Sequence, residues 1–394
     1  MRSKRHITTG IIGSGFAATF HFDALEKVYS AEVEVLGVYS PTPANRDAFA
    51  RQRDIRVFDS VDDLIDSCDV VHVCTPVSTH EEFAVAVLEK NKNAVVEKPL
   101  TGFWGDDSAD FRGDTYPKEK ALSYALESVK RIKRAEAESR GKLFYAENWI
   151  YAPAVQKERE IVEKTNAQLL WIRGEESHSG SHAKTYGYWK YSGGGVMLGK
   201  GCHPLSAALY LKRIEGINRN GTPIRPASIS ARIHSITQLD QYDDQSHLRS
   251  DYFDIEDCST MHVVFEDGTV TDIFASDIVM GGINNRLDIL ANNHRVLCNI
   301  NPNDSMKAYN PVDSNFKDIY VVEKIGTKQG WSTPCPDEDF ITGYPMEMEA
   351  FYKNIVQGGD PESNLELAAD VISTIFHGYL SAERNGAEVI ITLQ

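Results

Sequence analysis

The chain has few features that would staple or anchor it. Its six cysteines (Cys68, Cys74, Cys202, Cys258, Cys298 and Cys335) form no CxxC pair and keep no regular spacing, so neither a zinc site nor a disulfide framework is indicated, and no metal is expected. A reducing compartment is the simpler expectation. No apolar run approaches the roughly 18 residues that a membrane span needs. Positive charge is also scarce: 41 Lys and Arg against 57 Asp and Glu give a formal net charge of -16. That balance argues against a nucleic-acid or anionic-membrane partner, since either needs a basic face to displace counterions. Repeats and low-complexity tracts are missing too. The basic start, Met1 to His6, runs into Ile7-Thr-Thr-Gly-Ile-Ile-Gly13, too short and glycine-interrupted for a signal-peptide core, so a cytoplasmic protein is expected. What remains, 394 residues with 42% hydrophobic and 25% charged, is an ordinary globular composition with room for two or three domains.

The first half reads as alternating strands and helices. Ile7 to Ile12 is a β-rich run that enters Gly13-Ser14-Gly15-Phe16-Ala17-Ala18; Phe16 to Val28 carries apolar residues at helical spacing, and Val33 to Val38 returns to strand character. A G-x-G-x-x-A turn between strand and helix is the context a dinucleotide site requires. Gly13 allows the tight turn, Gly15 lets backbone approach a pyrophosphate, and small Ala18 permits close helix-sheet packing. Gly13, Gly15, Phe16 and Ala17 are therefore cofactor-binding candidates. Where an NAD site usually carries an acidic residue, the second strand ends in Ser40, followed by Thr42 and Arg46; these suit a 2'-phosphate, a slight lean to NADP over NAD. Val70 to Pro76 is a further strand, and Thr75, Pro76 and His80 fall in the loop and helix start that should lie over the cofactor.

Val95-Val96-Glu97-Lys98-Pro99 ends a buried run in two charges and a proline. Proline cannot extend a ladder, so Lys98 stands at the C-terminal mouth of a strand, where open α/β sheets put their chemistry. The long Leu100 to Pro117 loop, rich in Gly, Asp and aromatics, is either a cover for the substrate or an oligomer contact. A helix over Lys118 to Ser139 and a strand over Lys142 to Glu147 follow, and Asn148 to Pro153 leaves the α/β pattern, which puts a domain boundary near residue 150. Beyond it come a helix (Ala154 to Lys164) and six strand-like runs: Leu169 to Glu175, Ile229 to Ile236, Ser259 to Phe265, Thr269 to Ala275, Arg286 to Ala291 and Arg295 to Ile300. Strands without interleaved helices predict an antiparallel sheet. Closing helices are expected over Glu347 to Val356 and Leu365 to Ala382. The fold class is thus α/β plus α+β: residues 1–150 a doubly wound Rossmann domain, and residues 151–394 an α+β domain with a predominantly antiparallel sheet, its last helices free to pack back on the first domain.

Taken in order, Gly13-x-Gly15-x-x-Ala18, Cys74-Thr75-Pro76, Glu97-Lys98-Pro99, and Gly193-Gly194-Gly195 followed eight residues later by His203 resemble the Gfo/Idh/MocA oxidoreductases. The resemblance implies NAD(P)-linked interconversion of hydroxyl and carbonyl on a sugar, glycoside or cyclitol, and a homo-oligomer, dimer or tetramer, formed through the C-terminal sheet. It also implies Lys98 beside the reacting hydroxyl and His203 as the acid/base from the second domain. The chemistry agrees: hydride transfer from an alcohol needs a proton acceptor, and His or a desolvated Lys titrates near neutrality. Glu97 is a candidate to orient Lys98. Candidates around the substrate are Asn148, Tyr151, His178, His182, Tyr186 and Lys200.

One position departs from the family. The common Asp-x-x-x-His reads Gly199-Lys200-Gly201-Cys202-His203 here, which removes the usual partner of the histidine. On one helix those positions, i and i+4, would share a face. His178, His182, Tyr186 or Tyr188 is expected to take the aspartate's place, or Lys200 to supply a charge. Two other functions stay open beside a dehydrogenase: tightly bound NAD used in transient oxidation for net hydrolysis, elimination or epimerisation, and a non-catalytic regulatory protein that senses sugar or dinucleotide.

Overall fold

Near-continuous apolar runs mark the strands of the first half, and a sheet covered on both faces is what such runs require. The computed structural model describes residues 4–106, 108, 110–181, 183–301 and 306–393. In chain order, β1 (His6–Ile12), α1 (Phe16–Leu25), β2 (Glu32–Tyr39), α2 (Pro43–Arg53), β3 (Arg56–Val57), α3 (Val61–Ser67), β4 (Val70–Val73), α4 (His80–Glu89), β5 (Asn93–Glu97), α5 (Lys118–Glu138) and β6 (Leu143–Ala146) form the first unit. Its six strands are parallel, in the order β3-β2-β1-β4-β5-β6. Every residue of β4 and β6 is buried. The order reverses between β1 and β4, and a crevice opens at the strand ends of such a switch point. The glycine turn ends β1, and Glu97 ends β5 close by.

The chain then passes through α6 (Asn148–Tyr151), α7 (Pro153–Thr165), β7 (Leu169–Ser177), α8 (Trp189–Ser192), α9 (Val196–Gly199) and α10 (Cys202–Asn220). β8 (Pro226–His234), β9 (Cys258–Phe265), β10 (Val270–Ser276), β11 (Asn284–Ala291) and β12 (Arg295–Asn299) follow, then a small pair, β13 (Ala308–Asn310) with β14 (Gly330–Ser332). The chain closes with α11 (Glu338–Thr342), α12 (Tyr344–Gln357), α13 (Leu365–Glu383) and β15 (Val389–Ile390). All six expected strands join one seven-stranded sheet of order β12-β11-β7-β10-β9-β8-β15. It is mixed rather than purely antiparallel, because β7 runs parallel to β10. The chain leaves β7 through α8 to α10 and returns by the β8-β9-β10 meander, so no hairpin dictates how β7 meets its neighbour.

The closing helices lie on the first unit. Phe20 of α1 stacks on Tyr344 of α12 (4.8 Å, 7°), and Tyr145 N donates to Ser363 O just before α13 (2.9 Å). The described part of the Leu100 to Pro117 loop is anchored: Phe103 packs against Phe111, Tyr116 and Tyr124, while Lys118 Nζ donates to the carbonyls of Gly113, Asp114 and Tyr116. Phe103 N also donates to Gly193 O, so the glycine triplet is a close-packing surface. Among the described residues, no helix is long and apolar enough to cross a membrane.

Beneath that triplet, the carboxyl of Glu256 is buried where a Cβ on Gly195 would lie. Oε1 accepts from Met197 N (3.0 Å) and Tyr379 Oη (2.8 Å). Burial pushes the acid up to about 7, against hydrogen bonds that pull it down. A raised folded value means that Glu256 favours the fold fully below its unfolded value and loses that contribution as pH rises toward 7. Glu256→Gln, which keeps the acceptor, is expected to stabilise the protein at pH 8 by on the order of 1–3 kcal/mol. The gain should disappear near pH 4.5 in thermal melts across that range.

Candidate active site

The cofactor end is built by the β1-α1 turn. Gly13 has φ +110°, and a Cβ on it would stand 2.2 Å from Cys74 O, so the conformation and the contact both demand glycine. A Cβ on Gly15 would meet nothing within 4 Å; it faces open space. No side chain caps α1, which leaves its first N–H groups directed at that space, while Ala18 is fully buried against the sheet. Open space before an uncapped helix start fits a pyrophosphate. Gly13→Ala is expected to abolish cofactor binding and to lower the melting temperature by several degrees, because it adds more than about 1 kcal/mol of backbone strain. Calorimetric titration with NAD(P)H beside a thermal melt tests both effects.

Ser40 receives a hydrogen bond from Ser14 (3.1 Å), Thr42 stands at the N-cap position of α2 without a side-chain cap bond, and Arg46 pairs with Asp47 (2.9 Å) and Asp59 (3.8 Å). Phe16 is two-thirds exposed, edge-on to Phe20, and Ala17 is half-buried beside it. Thr75 Oγ1 accepts from Thr79 (2.8 Å), and Pro76 is exposed. His80 does not face the cofactor as expected. It is buried, with Nδ1 2.9 Å from Pro99 O and Nε2 3.0 Å from Thr75 O, and so clamps the β4 loop to the Lys98–Pro99 turn.

At the reacting end, Lys98 Nζ donates to Gly199 O (3.2 Å). Burial pulls its pKa down, but Cys202, Tyr186, Glu176 and Glu97 outweigh it, and the ammonium is held well above its usual range. Glu97 is buried. Its Oε2 accepts from Lys98 N (3.0 Å) and its Oε1 meets His21 Nε2 (2.9 Å); burial would raise the acid, but His21, Lys98 and His80 lower it on balance. Glu97 thus fixes the Lys98 backbone, with its carboxylate on the interior side.

Among the described residues, His203 meets Glu147, which is not one of the expected substitutes for the aspartate. Its Nδ1 lies 2.5 Å from Glu147 Oε1, and its Nε2 lies 3.8 Å from Glu176 Oε2; its ring stacks on Trp149 (5.7 Å, 17°). Glu147 is fully buried at the end of β6, where its side chain also accepts from Trp149 N (3.4 Å). Among the described residues, neither Glu147 Oε2 nor Glu176 Oε2 has a hydrogen-bond partner. The helix between residues 199 and 203 is interrupted: α9 ends at Gly199 and α10 begins at Cys202. A Cβ on Gly199 would stand in ordinary contact with the ring of Tyr186 (Cε1 at 3.6 Å).

The other candidates divide. Lys200 is buried and ion-paired with Asp277; burial lowers it to about 7, Glu176 opposes that shift, and Lys324, Lys98 and Arg249 reinforce it. His178 is buried nearby, its Nδ1 accepting from Gly180 N (2.9 Å) and lying 3.5 Å from Asp277. Tyr186 is half exposed, and Tyr188 stacks on Phe253 (5.2 Å). Two candidates are core residues instead. Tyr151 is buried with its hydroxyl on Ser363 (2.9 Å), and Asn148 Nδ2 donates to Thr342 O (2.8 Å). His182 lies outside the described residues. Sequence reasoning missed Glu147, Glu176 and Asp277. Glu147 carried a readable signal, since it ends a buried strand just as Lys98 follows one.

Glu147, Cys202 and His203 also offer three ligand-type atoms within 4.8 Å of one another. Binding a cation there would need the Cys202 thiolate, and burial raises that thiol well above its usual value.

Residues 7–106 match the family model described as "Oxidoreductase family, NAD-binding Rossmann fold". Glucose-6-phosphate 3-dehydrogenase of Bacillus subtilis (strain 168) is 36% identical over 91 residues, 23% of this chain and 25% of that protein. The match therefore spans about a quarter of the curated relative's length. Two solved structures share the fold over nearly the whole chain. GenD2 from gentamicin A biosynthesis, solved in complex with NAD, aligns with a TM-score of 0.77 at 20% identity, covering 100% of this chain and 98% of that one. Myo-inositol 2-dehydrogenase from Lactobacillus plantarum gives 0.72 at 16% identity, covering 98% and 100%.

Proposed function

We propose that the chain, whose residues 7–106 match an oxidoreductase family model with an NAD-binding Rossmann fold, interconverts a hydroxyl and a carbonyl on a sugar, glycoside or cyclitol. The observation that carries this reading is Lys98 Nζ held at the Gly199 carbonyl (3.2 Å), four residues before a His203 whose Nδ1 pairs with Glu147 (2.5 Å). The Gly13 to Ala17 turn with Ser40, Thr42, Arg46, Thr75 and Pro76 would hold the cofactor, which would supply the hydride acceptor or donor.

During oxidation the hydroxyl proton goes to His203 Nε2. Nδ1–H is committed to Glu147, which leaves Nε2 with the lone pair, and the carboxylate steadies the imidazolium that forms. Lys98, already charged, donates a hydrogen bond to the substrate oxygen as negative charge develops there. In reduction His203 returns the proton. Lys98 is then the electrostatic partner rather than the base. Lys200, His178 and Tyr186 border the same mouth and contact the rest of the ring. Glu147 at His203 removes the motive that Gly199 gave for a non-catalytic protein.

The cofactor preference leans to NADP, because β2 ends without a carboxylate and Arg46 can turn from Asp47 and Asp59 to a 2'-phosphate. A homo-oligomer through the open face of the second sheet is supported by Leu170, Trp171, Leu297 and Ile390, all exposed large apolar residues. Six free, buried cysteines suit a cytoplasmic site of action.

Reduction of NAD+ and NADP+ by the purified protein over a panel of sugars, glycosides and inositols tests the reading, with mass measured by light scattering. Cofactor binding with no reduction on any member would overturn it. Product without net NAD(P)H would instead favour transient oxidation.

A further inference from the structure

Behind Glu97 a chain of buried polar groups crosses the first domain, built from five separate elements. His21 (α1) holds Glu97 Oε1 through Nε2 (2.9 Å), and its Nδ1 lies 2.7 Å from Nδ1 of His72 (β4). Nε2 of His72 lies 3.1 Å from the hydroxyl of Tyr352 (α12), which is 2.6 Å from Thr9 Oγ1 (β1). Thr9, His21, His72 and Tyr352 have no exposed surface. Four side chains of this kind in an otherwise apolar core carry a large desolvation cost, so the chain demands a role beyond filling space.

We propose that Thr9, Tyr352, His72 and His21 are positioning residues that together hold Glu97 as an oriented anion and, through it, set the backbone of Lys98. The hydrogen bonds admit this directly. An ionised carboxylate only accepts, so His21 carries its hydrogen on Nε2. If that is the one hydrogen on the His21 ring, its Nδ1 accepts from His72 Nδ1–H, which leaves Nε2 of His72 to accept from Tyr352 O–H, whose oxygen accepts from Thr9. Every donor points toward Glu97. Burial lowers the pKa of His72 well below its usual value, as a chain of single hydrogens requires. Glu97 therefore fixes the tautomer of His21 and, through it, that of His72, and the Tyr352 hydroxyl donates to the His72 nitrogen left over, although neither His72 nor Tyr352 touches Glu97. The end of the chain is Glu97 Oε2, on which Lys98 N is fastened at 3.0 Å. The role given to Lys98 rests on the oxidoreductase reading; the hydrogen-bond chain does not.

Nitrogen NMR of the ¹⁵N-histidine-labelled full chain, assigned with His21 and His72 substitutions, tests the chain without turnover. Expected are a neutral His72 with hydrogen on Nδ1 and a His21 with hydrogen on Nε2. Tyr352→Phe, which keeps shape and fold, should move the His21 signals two links away. Kinetics on the best substrate then test the positioning. Tyr352→Phe and His21→Leu should lower kcat, the latter by about tenfold, with KM within about twofold, and His21→Gln should recover most of the loss because its amide still donates to Glu97. His72 protonated on Nε2, or His21 signals unmoved in Tyr352→Phe, would overturn the chain. An undiminished kcat in His21→Leu would overturn its positioning role. Absence of any turnover in the wild type would count against the oxidoreductase reading alone.

Discussion

His203→Ala is expected to lower kcat by about 10²- to 10⁴-fold, the span by which general acid–base groups act, with cofactor affinity held within a few-fold. The expectation follows from Nε2 being the one ring nitrogen left for a substrate proton once Nδ1 is taken by Glu147 at 2.5 Å. Glu147→Gln should fall between wild type and His203→Ala, since it keeps an acceptor for Nδ1–H but removes the charge that steadies the imidazolium. The pH profile separates the two basic groups. Lys98 is raised above its ordinary value, so it stays charged through the neutral range. Lys98 should therefore contribute no limb to the kcat/KM profile across the neutral range. A limb between pH 6 and 9 that vanished in Lys98→Met and persisted in His203→Ala would reverse the assignment.

Lys98→Ala should cost about 10²- to 10³-fold in kcat, as loss of one preorganised donor to a developing oxyanion does. Lys98→Arg should recover little of this, because a planar guanidinium cannot occupy the position of a compact ammonium held at the Gly199 carbonyl. Cofactor titration of both variants provides the control. Retained binding with lost turnover marks Lys98 as a chemical participant. Unchanged turnover in Lys98→Ala would mean that the charge at this strand end serves binding or regulation, and the alternative of a sugar-responsive protein would return.

Much of the site could be read from the chain because its parts are local in sequence. The β1-α1 turn needs glycine for a backbone reason contained in three residues, and Lys98 follows a buried strand that Pro99 stops, so both were visible without a partner. The strands of the second sheet were visible for the same reason, since alternation is a property of neighbours. α10 was not. It is buried on nearly all sides, as Cys202, His203, Leu205, Ala207, Ala208 and Leu209 attest, and therefore shows no amphipathic stripe. The parallel contact of β7 with β10 was equally hidden, since nothing in either strand encodes which neighbour it meets.

The partner of His203 marks the same limit more sharply. A search along the helix for the missing aspartate finds Gly199 and stops, and the residues next to it turn out to pack elsewhere. Glu147 lies 56 residues away, just past β6 of the first sheet, and His21 and His72, 51 residues apart, gave no sign of sharing a hydrogen bond. What the sequence determined by itself was each piece whose geometry closes within one turn or one strand: the dinucleotide turn, the Lys98 strand end and the run of later strands. The tertiary structure alone decided which carboxylate faces which imidazole, because burying charge is costly enough that each ionisable side chain takes whatever partner the packing of whole elements brings to it.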